Sequence, residues 1–190
     1  MRKVILLMHS SLDGFVGTLD GGLEWVCIDD EITTHVDQLI STADTALYGR
    51  VTYQMMESYW PTVPTNPDAT RHERDHANWV ENASKIVFSR SLAQVTWNNS
   101  RLVKDHIAEE ISRLKSLPGK HLMIFGSPSL THAFMELDLI DEYRITVNPV
   151  VLGRGIPMFT DDAKPAKLKL LETKSFQSGV VALGYERDRT

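Results

Sequence analysis

Two spacings of apolar residues alternate along the chain. Short apolar runs at 4–8, 45–48, 85–88 and 122–125 have the pattern of strands covered on both faces, as in a parallel sheet with helices above and below it. Between the runs, apolar positions recur at helical spacing. Asp29 and Asp30 stand as candidate caps, and Ile32, Val36, Leu39, Ile40 and Ala43 follow on one face. Val51 begins a short helix ending near Trp60, and Pro61, Pro64 and Pro67 then form a proline-rich connection. A helix is predicted over 68–83. Asp105 caps a segment carrying Ile107, Ile111 and Leu114, closed by Pro118 and Gly119. Ser127 and Pro128 form an N-cap and first-turn pair before the stripe Leu130, Ala133, Phe134 and Leu137.

The tail reads differently. Residues 143–147 alternate like a strand, and 167–173 and 180–185, joined through Gln177, Ser178 and Gly179, predict an antiparallel hairpin. Strands that first alternate with helices and then follow one another directly predict an α/β fold: a mostly parallel sheet with an antiparallel C-terminal edge. With no repeat, low-complexity stretch or linker, a single domain over 1–190 is expected.

Two strand-to-helix junctions carry glycine: Leu47-Tyr48-Gly49-Arg50-Val51-Thr52 and Ile124-Phe125-Gly126-Ser127-Pro128-Ser129-Leu130. A helix N-terminus leaves backbone N–H groups unpaired, and glycine lets a phosphate approach the backbone. Two such junctions suit a dinucleotide, whose phosphates lie apart. Arg50 and Arg90 follow apolar strands on what should be one carboxyl edge, where open α/β sheets bind ligands. Guanidinium groups offer bidentate, permanently charged donors for a 2′-phosphate, which points to NADPH over NADH.

Charge and composition narrow the field. A formal net charge of −5 gives no field to attract a polyanion, so nucleic acid and anionic membrane are not expected partners. No apolar run spans a bilayer, and the run after Met1-Arg2-Lys3 breaks at His9, too early for a signal-peptide core. Cys27 is alone, so no internal disulfide is possible, and a cytoplasmic location is expected. His72-Glu73-Arg74-Asp75-His76 fits a zinc-protease spacing. Charges lie between its histidines, however, and His72, His76, Trp79, Val80 and Ala83 form one helical stripe, so packing accounts for it and no metal is expected.

Three segments together resemble a known family. They are Ser11-Leu12-Asp13-Gly14-Phe15, the Tyr48 to Tyr53 junction, and the stretch from Phe125-Gly126-Ser127 through Leu139-Ile140-Asp141-Glu142-Tyr143-Arg144 to Pro149-Val150-Val151-Leu152-Gly153-Arg154-Gly155. The chain resembles the dihydrofolate-reductase-like fold, and within it the C-terminal reductase domain of the bacterial riboflavin-biosynthesis enzyme RibD and its stand-alone relatives. The resemblance implies an NADPH-dependent oxidoreductase, commonly a homodimer. It implies cofactor contacts at Gly49, Arg50 and Thr52, at Ser89 and Arg90, and at Gly126, Ser127, Pro128, Ser129 and Leu130. Here Ser127 replaces a glycine of dihydrofolate reductase itself. The resemblance also makes residues 13–17 a mobile loop over the nicotinamide, bringing in Val16 and Gly17, and gives Asp30 and Thr146 the roles of substrate carboxylate and supporting hydroxyl. Simple capping is the competing role for Asp30. The implied reaction is reduction of 5-amino-6-(5-phosphoribosylamino)uracil. A dihydrofolate or other pteridine reductase and a non-catalytic NADPH-binding module are the alternatives.

Overall fold

The computed structural model describes residues 1–161 and 164–190. Its centre is an eight-stranded sheet in the order β5-β4-β3-β6-β1-β7-β10-β9. The strands are β1 (Val4–Ser11), β3 (Ala43–Gly49), β4 (Ser84–Phe88), β5 (Ser100–Val103), β6 (His121–Phe125), β7 (Glu142–Asn148), β9 (Leu168–Ser175) and β10 (Val181–Arg187). The first six run parallel, and β10 pairs antiparallel with both β7 and β9. The expected mostly parallel sheet with an antiparallel edge is therefore present. A second, two-stranded ribbon joins β2 (Phe15–Gly17) to β8 (Ile156–Pro157).

Alternation along β1 sorts its side chains into two cores. Val4, Leu6 and Met8 face α4 (Ile107–Ser116) and α5 (Pro128–Glu136), meeting Ile111, Leu114, Leu130 and Phe134. Ile5 and Leu7 face α1 (Asp30–Ile40), α2 (Arg50–Tyr59) and α3 (Arg71–Asn82), meeting Ile40, Tyr53 and Val80. Three layers result, which is why the runs read from sequence are apolar on both faces. No helix among the described residues is long and apolar enough to cross a membrane.

Several local expectations change. Ala43 is the first residue of β3, not the end of α1, which closes at Ser41. The proline-rich connection contains a 3-10 helix, Trp60–Thr65, and α3 starts at Arg71, where Thr70 and Glu73 form a capping box. Asp105 does not cap α4. His106 holds that place in a left-handed conformation, and Asp105 lies 3.7 Å from Arg90. Asp29 caps α1 by accepting from the Ile32 N–H at 2.8 Å.

Lys85 on β4 is buried beneath the end of α3. Its ammonium donates to the carbonyls of Val80 at 2.5 Å and Ala83 at 3.0 Å and lies 4.6 Å from the centre of the Trp97 ring. It thereby satisfies carbonyls that the helix terminus leaves without partners.

Candidate active site

Parallel pairing brings both glycine bends to one rim. Leu47 is opposite Ile124 and Gly49 opposite Phe88, so the ends of β4, β3 and β6 stand side by side. The bends also touch. The Gly49 N–H donates to Ser127 Oγ at 2.8 Å, and a Cβ built on Gly49 would come within 2.6 Å of that oxygen. Glycine is needed at 49 for this close approach. Gly126 needs it for another reason, a φ of +59°, and a Cβ there would meet open space.

This contact corrects the reading of Ser127 as a side-chain cap. Its hydroxyl is spent on Gly49, and among the described residues neither α2 nor α5 has a side-chain cap. By contrast, α1 and α3 are capped by Asp29 and Thr70. The first-turn N–H groups of α2 and α5 are thus left for a ligand at the carboxyl edge, with the positive end of each helix dipole. Pro128 at the first position of α5 has no N–H to leave unpaired.

A groove of about 380 Å³ opens beside the bends, bordered by Gly49, Arg50, Ser89, Arg90, Ser129 and Leu130. Phe88, Val103 and Ile107 supply apolar wall, and Lys104 adds a third cation. Arg90 is largely exposed, and among the described residues Arg50 bonds only to Gln54, at 3.2 Å, so both retain donors. Ser89 folds its strand end by accepting from the N–H groups of Ser91 and Leu92. Thr52 is buried in the first turn of α2. Lys104 follows β5, a short edge strand whose residues form no apolar run, so nothing local in the sequence marks it as a groove residue.

Other expected site residues stand apart from the groove. The Val16 side chain belongs to the core facing α4 and α5, and Gly17 packs against Ile156. The loop expected to be mobile is fastened: the Asp13 carboxylate accepts from Ser11 Oγ at 2.7 Å and from the N–H groups of Leu152 and Gly153. The Ser11 bond is the main reason its pKa lies below the usual carboxylate range, and the turn at Gly153 thereby anchors the loop. Asp30 and Thr146 do not form the expected pair. Asp30 is exposed at the start of α1, and the Thr146 hydroxyl lies 2.5 Å from His9 Nδ1. Helix geometry directs the Asp30 side chain outward while Asp29 makes the capping bond.

The zinc-like spacing resolves into packing. His76 lies among Trp60, Trp79 and Phe125, and burial lowers its pKa to about 4. Glu73 accepts from Thr70 and from the Tyr59 hydroxyl, and His72 meets Asp37 at 2.7 Å. No group of three His, Cys, Asp or Glu among the described residues could hold a metal.

Comparison with known proteins agrees with this architecture. The profile of the family described as the RibD C-terminal domain matches residues 2–182. The uncharacterised Bacillus subtilis protein YyaP is 36% identical, covering 97% of this chain and 94% of its own. Among solved structures, a candidate riboflavin biosynthesis protein of Shewanella sp. PV-4 superposes with a TM-score of 0.77 at 23% identity, covering 99% of this chain and 100% of its own. The Thermotoga maritima diaminohydroxyphosphoribosylaminopyrimidine deaminase/5-amino-6-(5-phosphoribosylamino)uracil reductase gives a TM-score of 0.67 at 17% identity, covering 98% of this chain and 57% of its own. At those identities the two structures speak for the fold.

Proposed function

This chain belongs to the RibD C-terminal domain family, and from that membership we propose that it is a single-domain, NADPH-dependent reductase of a heterocyclic acceptor of the 5-amino-6-(5-phosphoribosylamino)uracil type. One observation carries the proposal: two uncapped helix starts and the cations Arg50, Arg90 and Lys104 converge on one groove at the carboxyl edge. The donor set fits a dinucleotide diphosphate carrying a further phosphate. Open space over Gly126 admits a phosphate to the backbone, Ser127 holds the two bends together, and the exposed guanidinium groups offer bidentate donors to a dianion. The apolar wall at Phe88, Val103 and Ile107 suits a flat base. A reduced nicotinamide bound at this rim would supply a hydride to the acceptor.

Titration with both cofactors tests the reading. Arg50→Ala should weaken NADPH binding by about tenfold or more, the effect of losing a charge-assisted contact, and leave NADH within about twofold. Equal losses for the two would remove Arg50 from the 2′-phosphate, and no saturable binding of either would end the reductase assignment.

The same reading takes the protein as a homodimer formed through edge strand β9, where Leu168, Leu170 and Leu171 are exposed. Light scattering should give twice the 21.5 kDa chain mass, and Leu170→Lys should give the monomer. A monomeric wild-type protein would remove the dimer from the proposal.

A further inference from the structure

His9 lies outside everything assigned so far. All other residues of β1 are buried, as expected for an interior strand with helices on both faces, whereas solvent reaches His9. Part of this otherwise buried side chain therefore stays accessible. The strand beside it, β6, runs Leu7 opposite Phe125 and then turns at Gly126, so His9 stands about one strand spacing from the second glycine bend. On the other flank its register partner is Thr146.

The hydrogen bonds define which imidazole nitrogen carries the proton. Thr146 is 2% exposed, and its hydroxyl has no partner among the described residues except His9 Nδ1, at 2.5 Å. A buried hydroxyl proton left without an acceptor is costly, and the Nδ1 lone pair is the acceptor within reach. Thr146 therefore donates to Nδ1, and the ring proton sits on Nε2. That nitrogen makes no hydrogen bond among the described residues and is not sealed from solvent. Burial lowers the pKa of the imidazole to about 4, so the ring is neutral at physiological pH.

We propose that His9 is a specificity residue of the acceptor site: Thr146, donating to Nδ1, fixes the tautomer whose Nε2–H donates to a carbonyl oxygen of an uncharged, planar heterocycle. The proposal rests on the reductase reading and specifies its acceptor. A buried carboxylate would select a ring with paired N–H donors, as in an aminopterin, but Asp30 is exposed and Asp29 is occupied with capping. A single neutral N–H donor matches C=O, as on a uracil ring.

The test uses the intact chain with histidine-labelled nitrogen, titrated with 5,6-diaminouracil and separately with 7,8-dihydrofolate, each with and without NADP. Imidazole nitrogen NMR should show the Nε2–H tautomer at His9, and diaminouracil should move the Nε2 resonance. His9→Ala should raise the diaminouracil Kd about fivefold to tenfold, the worth of one neutral hydrogen bond in a desolvated site, and change the NADP Kd by less than about twofold. His9→Gln, which keeps an amide donor, should recover most of that loss. Equal Kd values in wild type and His9→Ala, the opposite tautomer, an unmoved resonance, or a preference for dihydrofolate would each overturn the proposal. Cofactor titration reads separately: absence of NADP binding with the His9 response intact would refute the reductase reading and leave the acceptor contact standing.

Discussion

Gly49→Ala should lower NADPH affinity by at least about tenfold, and adding Ser127→Gly should cost little more, because the bond between the two bends is already broken. The added methyl would stand 2.6 Å from Ser127 Oγ, well inside contact distance, while the backbone at 49 is one any residue adopts. Steric displacement of Ser127 is therefore the whole cost. Ser127 is buried, so the hydroxyl cannot swing into solvent, and its movement breaks the Gly49 N–H bond that ties the two bends. Misplacing a preorganised anion site by a few tenths of an ångström costs each phosphate contact part of its energy, and about 1.4 kcal/mol is one decade of affinity. Once that bond is broken, removing the hydroxyl has little left to cost, so the double variant should bind better than the sum of the single losses predicts. Four fluorescence titrations complete the cycle. Strict additivity would mean that the bends do not depend on each other.

Lys85→Met should destabilise the fold by about 2–4 kcal/mol, because it leaves the carbonyls at the end of α3 buried without a donor. Methionine keeps the apolar stem beside Trp97, so lost hydrogen bonding, not a cavity, is what the variant measures. A pH signature separates this from general damage. Burial lowers the Lys85 pKa from 10.5 to about 8, the nearby Glu81 opposing it. Between those values the unfolded chain binds the proton that the folded chain has released. Stability of the wild type should therefore rise with pH across that window, and below about pH 8 the full cost of the buried charge is present. Denaturant unfolding near pH 8 and pH 10 should show this gain in wild type and its disappearance in Lys85→Met. An unchanged slope would mean that the ammonium is not desolvated.

What could be read in advance followed from how local each signal is. The buried strands announce themselves because a parallel strand with helices on both faces must be apolar throughout, as Val4 to Met8 are. β5 escaped notice because an edge strand of four residues, half of them Ser100 and Arg101, carries no such run. Lys104 was lost with it. Ser127 looked like a cap because serine before proline usually is one, and its real partner lies 78 residues away. Lys85 looked like the polar start of a strand, since nothing nearby in sequence shows a helix ending above it. Asp29 and Asp30 were equivalent on paper, and only helix geometry separates the one that caps from the one that faces water. His9 appeared merely to end an apolar run, and its meaning depends on Thr146, two strands' worth of topology later.

The position of β1 has a consequence for how the protein is made. Leu6 pairs with Ile124 on one side and Tyr143 on the other, so β1, made before either, takes its place only after both late partners have emerged. Until then a nascent chain carries the sticky segment Val4 to Met8 with no native neighbour, a window in which aggregation competes with completion of the sheet. Assembly of the sheet's centre must wait for β7, and a chaperone that shields Val4 to Met8 would act at the most vulnerable point of synthesis.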